Sequence, residues 1–190
     1  IYFDEYNSFR HLVMVLMERG FKRLAYLSPE EDHGHYSIKD RAQGYLDAVQ
    51  SSGQEPRIYL HSARPTDQDY DLSLYEWMKG PERPDLVICY DDIIAFQLQR
   101  VASQLGLRIP EDLAIATTGP DFMSALSPIP LTVMELFWLK MGQAAADMAI
   151  QLVAEKRDQI LSQVLSPKLL ERRSTQRSLS EEPVLVSPEL

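Results

Sequence analysis

Between residues 8 and 119 the apolar positions switch repeatedly between a helical and a short-strand rhythm. The stretch SFRHLVMVLMERG puts Phe9, Leu12, Val13, Leu16 and Met17 on one stripe and ends in Gly20, the pattern of an amphipathic helix. KRLAYLS, residues 22–28, predicts a strand. Residues 37–53 predict a second helix, with Ser37 as its N-cap and Gly53 as its stop. The alternation continues with a strand over 56–62, a helix over 69–80, a strand over 84–90, a helix over 91–106 and a strand over 111–119. Strands alternating with helices across short connections predict an α/β fold, a parallel sheet flanked by helices on both faces. No internal repeat is present.

After Gly119 the rhythm changes. Residues 120–132 carry Pro120, Pro128 and Pro130 and are expected to form a loop. LTVMEL, residues 131–136, predicts a short strand, and 138–156 a long helix with Gly142, Ala145 and Ala149 on one face. Residues 163–175 read as extended pieces. Residues 176–190 have no period, are rich in Ser, Pro and charge, and are expected to be a mobile tail.

Composition narrows the class. At 190 residues, 45% hydrophobic and 25% charged, the chain has the make-up of an ordinary globular domain, with enough length for one good core. No apolar run is long enough to span a membrane. The opening IYFDEYNSF lacks a basic n-region, a cleavage pattern and a Met, and begins as a strand; we expect a segment of a longer chain that is not a signal peptide. The single Cys89 rules out an internal disulfide and fits a reducing, cytoplasmic setting. A net charge of −9 repels phosphate, so this segment is not expected to grip DNA itself.

The chemistry concentrates in PDLVICYDDIIAFQ, residues 84–97. Asp91 and Asp92 stand where a buried strand hands over to a helix, at the end of a parallel sheet where ligands bind. One carboxylate can cap the helix and the other can face the crevice; alternatively both only cap and solvate. Asp32, His33 and His35 lie close together, but the spacing is short and no further ligand follows, so no metal is expected. Cys89 sits in an apolar run that suits an inert thiol. The serine-hydrolase elbow, the dinucleotide-binding fingerprint and the P-loop are absent from the sequence. The reading is therefore of a non-enzyme with no catalytic residues and no cofactor. His11 and His61 read as surface or strand-end residues. Tyr70, Tyr75 and Trp77 read as helix packing, with an aromatic of the 61–70 loop as a second option for stacking on a sugar ring.

These stretches resemble the lactose/galactose repressor (LacI/GalR) family. PDLVICYDDIIAFQLQRVASQLGLRIPEDLAI is similar to that family's strand, Asn-Asp pair, helix and LGLRVPEDVAV run. RGFKRLAYL, SIKDRAQGYLDAVQ, SPIPLTVMELFWLKMGQAAADMAIQLV and LLERRST resemble further family segments in the same order, so the likeness runs from Phe3 to Thr175. It implies a two-lobed, periplasmic-binding-protein-like sensor with a small-molecule effector in the cleft, homodimeric, acting as a repressor through a DNA-binding head outside this chain. The head is either helix-turn-helix or of the winged-helix GntR type. The alternative is a solute- or sugar-binding protein of the same fold without DNA function. The implied division is 1–130 for the C-terminal lobe, 131–165 for a return segment and helix of the N-terminal lobe, 166–175 for a closing segment and 176–190 for the tail.

The resemblance also assigns roles. Arg41 falls where the family binds ligand with a guanidinium; read from spacing alone it would instead pair with Asp40 or Asp47. Asp91 replaces the family's Asn as a ligand contact, Asp92 matches its Asp and is expected to cap the helix, and Ser37 lines the cleft or only caps. The family's closing G-[FY]-D-D is here TTGPD, leaving Asp121 one residue late, and its Arg-Gln pair is replaced by Glu135 and Leu136. Those departures imply an unusual ligand or a sensor that has lost one. For the dimer interface the resemblance implies Ile93, Phe96, Gln97 and Arg100 on the helix and Phe122, Met123 and Leu126 on the following loop. Phe96 could equally be core.

Overall fold

The computed structural model describes residues 1–29, 34–61, 70–155 and 162–177. In chain order the elements are β1 (Tyr2–Phe3), α1 (Glu5–Glu18), β2 (Leu24–Pro29), α2 (Tyr36–Ser51), β3 (Ile58–His61), α3 (Tyr70–Lys79), β4 (Leu86–Cys89) and α4 (Asp92–Gln104). There follow β5 (Ala114–Gly119), α5 (Asp121–Leu126), β6 (Thr132–Glu135), α6 (Trp138–Glu155), β7 (Val164–Leu165), β8 (Lys168–Leu170) and a 3-10 turn at Arg173–Thr175. The expected strand–helix alternation through Gly119 is observed.

Six strands form one sheet in the order β3-β2-β4-β5-β6-β8; the first five are parallel and β8 closes the edge antiparallel to β6. Side-chain alternation sends the two faces of each strand into separate apolar layers. Leu86 and Ile88 of β4 pack with α1 and α2, around Phe9, Leu12 and Tyr45. Val87 and Cys89 pack with α3 and α4, around Leu74, Ile94 and Leu98. Every residue of β2, β4, β5 and β6 is buried, as a sheet covered on both faces requires.

Helices α1 and α2 approach closely because α2 carries Gly44 at the contact. A Cβ there would lie 2.6 Å from the Tyr6 carbonyl oxygen and 3.1 Å from the Arg10 nitrogen, both backbone atoms that cannot swing aside. That approach aligns the N-terminal ends of both helices toward the sheet's carboxyl edge, where the strand order switches direction between β2 and β4.

Three expectations are corrected. The three prolines lie outside residues 121–126, and that stretch folds as α5 rather than as loop. β6, expected with the return segment, hydrogen-bonds between β5 and β8 as a strand of the same sheet. The closing segment is stapled down. Ser174 Oγ accepts the Thr132 N–H at 2.8 Å and donates to the Ile115 carbonyl at 2.6 Å. Arg177, expected in the mobile tail, stacks over Phe21 and donates to the Pro110 carbonyl. Residues 178–190 lie outside the described residues.

Helix α6 leaves the sheet with little cover. Leu139, Ile150 and Val153 are 77%, 66% and 80% exposed, whereas Phe137, Met141, Met148 and Leu152 are half-buried. No helix among the described residues is long and apolar enough to cross a membrane.

Candidate functional site

A cavity of about 550 Å³ opens beyond the carboxyl ends of β4 and β5, bounded by Ser37, Arg41, Tyr90, Asp91, Thr118 and Trp138 among others. Its location follows from the fold. The carboxyl ends of the parallel strands and the starts of α2 and α4 converge there.

Arg41 is buried, and each of its three guanidinium nitrogens donates to a protein group. Its Nε and one terminal nitrogen each donate to a Glu5 carboxylate oxygen at 2.8 Å. The other terminal nitrogen donates to the Tyr90 carbonyl at 2.6 Å, and the guanidinium stacks over the Tyr90 ring at 4.5 Å. Burial alone would lower the pKa of Arg41, but the hydrogen bonds and charge of Glu5 outweigh it and leave it raised. The partner is therefore Glu5, from the first turn of α1, and neither Asp40 nor Asp47. Asp47 instead accepts from the Tyr6 hydroxyl and from Gln43.

The helix cap falls on Asp91, not on Asp92 as the resemblance implied. Asp91 is the N-cap of α4: its backbone is extended (φ −144°, ψ 174°) and its Oδ1 accepts the Ile94 N–H at 2.9 Å. Asp92 is the first helical residue, buried, and accepts from the Ser124 hydroxyl of α5 at 2.7 Å. The strand ends one residue earlier than a cap at Asp92 requires, so the extended residue before the helix is Asp91. Both carboxylates line the cavity. Burial pushes Asp92 up to about 6, with the charge of Asp91 adding to the shift and the donors Ser124 and Thr117 opposing it. Burial also raises Asp91. Glu135, opposite Gly119 on β6, is buried and raised by burial and by the charge of Asp92. Gly119 leaves the space that Asp92 occupies: a Cβ there would lie 2.0 Å from the Asp92 Oδ2.

Ser37 is not the cap of α2. His35 is, its ring Nδ1 accepting the Ser37 N–H at 3.3 Å. The Ser37 hydroxyl instead links His35 Nδ1 at 2.6 Å to the Tyr90 hydroxyl at 2.8 Å, on the wall of the cavity. Asp121 does not line the cavity. It opens α5 after Pro120 and forms an ion pair with Arg172, so its expected ligand contact is corrected. Leu136 takes a place on the cavity wall.

Sequence reasoning missed Glu5, Tyr90 and Thr118. Glu5 carries only a helix-start signal, and nothing local marks it as a partner for a residue 36 positions on. Asp32 and His33 lie outside the described residues, and no metal-holding group of three or more acidic, His or Cys residues occurs among the described ones. Cys89 is fully buried, and burial together with the nearby aspartates raises its thiol well above the usual range. Trp77 stacks on Tyr59 at 4.3 Å, the packing role expected for it.

A second cavity, of about 910 Å³, lies on the outer side of α4 between Phe96, Arg100, Leu107 and Ile129. Ile93, Phe122 and Leu126 are exposed nearby in sequence, at 57%, 63% and 81%, while Phe96 is half-buried against the core. Met123 faces the first cavity instead.

The sequence profile of the periplasmic binding protein-like domain matches residues 13–175. The chain belongs to this family. Within it, the relatives place the chain among the effector domains of LacI/GalR-type regulators. It is 28% identical over 178 residues to an arabinose metabolism transcriptional repressor of Geobacillus stearothermophilus, covering 90% of this chain and 48% of that one. It is 24% identical over 174 residues to the HTH-type transcriptional regulator MalR of Staphylococcus xylosus, covering 90% and 50%. Among solved structures, a putative LacI-family transcriptional regulator of Rhizobium etli superimposes with a TM-score of 0.77 at 28% identity, over 90% of this chain and 63% of that one. The chain thus spans about half the length of the curated relatives it matches. These relatives are transcriptional regulators.

Proposed function

We propose that this effector domain senses a sugar-like small molecule in the cavity at the carboxyl ends of β4 and β5, and that binding there controls repression by a DNA-binding head in the same polypeptide. The observation that carries the reading is the cavity itself, walled by Ser37, Arg41 and Asp91 in a domain of this family. A repressor of arabinose metabolism among the relatives supports a sugar. The net charge of −9 supports DNA contact through a separate segment. The protein is read as cytoplasmic and without a catalytic step. Helix α6, with its bare apolar residues, is read as part of a second lobe that completes the cleft. The regulator relatives favour this over a free solute-binding protein.

The expected result is a rise in melting temperature of the purified chain with one of a panel of neutral mono- and disaccharides. At a hundredfold excess over Kd the rise should be about 5–10 °C. A flat response across the panel rejects the reading.

We further propose a homodimer formed by the outer face of α4 and by α5, through Ile93, Phe96, Gln97, Arg100, Phe122 and Leu126, with Met123 at its inner margin. The exposure of Ile93, Phe122 and Leu126 supports it. Sedimentation at micromolar concentration should show a dimer that Phe96→Asp splits; a wild-type monomer contradicts the proposal.

A further inference from the structure

The charges on the cavity wall are unbalanced. Among the described residues of this wall Arg41 is the one arginine or lysine, and Glu5 neutralises it through two hydrogen bonds; His35 lies on the same wall with its Nδ1 engaged by Ser37. Glu5 and Arg41 together contribute no net charge. Asp91 and Asp92 remain, with Glu135 buried behind Asp92. The positive end of the α4 dipole also faces this region, but Asp91 caps it and Asp92 sits in its first turn. The start of α2 has no acidic residue, yet a helix end amounts to roughly half a charge against two carboxylates.

A second observation points to a ligand. Thr118, on the same wall, is 1% exposed, and its hydroxyl has no hydrogen-bond partner among the described residues. Buried hydroxyls are ordinarily satisfied, and this one can both donate and accept. With the Asp91 and Asp92 carboxylates on the same wall, the described residues there offer acceptors and a hydroxyl, and their one guanidinium is paired with Glu5. A protonated amine can donate to those carboxylates and to the hydroxyl oxygen at once.

We infer that the juxtaposition of the neutralised Glu5–Arg41 pair with Asp91, Asp92 and the unpartnered Thr118 hydroxyl selects a polyhydroxylated effector bearing a protonated amine and excludes phosphorylated and acidic sugars. This rests on the effector reading above and names the ligand's charge class. The amine donates to the aspartates; a phosphate would meet two carboxylates of its own sign and find Arg41 already occupied.

The test is calorimetric titration of the chain at pH 7.5 with matched series: glucose, glucosamine and glucose 6-phosphate, then galactose, galactosamine and galactose 6-phosphate. The expected order is amine, then neutral sugar, then phosphate, with at least about tenfold between successive members of a binding series. Asp91→Asn keeps the α4 cap, because Asn caps as well as Asp, and removes one charge. It should narrow the amine-to-phosphate span by about tenfold, with the melting temperature reporting that the fold is intact. A phosphate derivative binding as tightly as its amine overturns the inference and leaves the sugar reading standing. Equal binding of neutral sugar and amine, or a span unchanged by Asp91→Asn, also overturns it. Binding by no member of either series overturns the inference together with the reading it rests on.

Discussion

Arg41→Ala is expected to lower the unfolding free energy by about 3–5 kcal/mol, whatever it does to ligand binding. Arg41 is 4% exposed, and its guanidinium makes two hydrogen bonds to Glu5 and one to the Tyr90 carbonyl. Removing it strands Glu5, itself 3% exposed, as a buried carboxylate without its counter-ion. It also releases the start of α1 from α2 and from the end of β4, the three elements that meet at the cavity. Urea unfolding at pH 7.5 measures the loss, and a loss below about 1 kcal/mol would show the pair to be replaceable. The double change Glu5→Gln with Arg41→Met should recover much of it, since replacing both partners removes the stranded charge. Loss of effector binding in Arg41→Ala alone therefore has two explanations, and the double variant separates them.

Asp92→Asn is expected to stabilise the protein by about 1–2 kcal/mol at pH 7.5. The folded-state pKa of Asp92 is about 6, against about 3.9 in an unfolded chain. From pH ~4 to ~6 the native state holds a proton that the unfolded state has released, so stability falls as pH rises through that window. Above it, the ionised carboxylate imposes a penalty of up to about 2.9 kcal/mol, a net figure in which the Ser124 and Thr117 hydrogen bonds that favour the charged form are already counted. Asn keeps an acceptor for Ser124 and carries no charge. The gain should shrink toward zero near pH 4, and paired urea titrations at pH 7.5 and 4.5 check both sign and slope. A destabilised variant at pH 7.5 would mean that the Asp92 charge itself holds α5 in place.

Period and punctuation in the sequence determined most of the architecture. The stripe Phe9, Leu12, Val13, Leu16 can bury only as a helix, and LVIC between Pro84 and two aspartates can bury only as a doubly covered strand. Those signals are local, because each depends on residues within a few positions of one another. Repeated in alternation, they also implied the parallel sheet and the position of a site at the carboxyl end of β4. The family motifs added Arg41, Ser37 and Asp91 as residues of that site, and all three line the cavity.

Tertiary structure decided what those residues do. Arg41 could have paired along its own helix with Asp40 or Asp47; chain crossing brought Glu5 to it from 36 residues away. The division of labour between Asp91 and Asp92 turned on where β4 ends, a shift of one residue that reverses which carboxylate caps and which is buried against Ser124. α5 formed between prolines that suggested a loop, and its Ser124 became the donor to Asp92. β6 joined the sheet between β5, the strand before it, and β8, which returns from beyond α6, and this placed Glu135 opposite Gly119 and within reach of the Asp92 charge. A pattern of neighbours along the chain encodes which face is apolar. It does not encode which distant polar group will be waiting when that face is buried, and the charge balance of the cavity is made of such encounters.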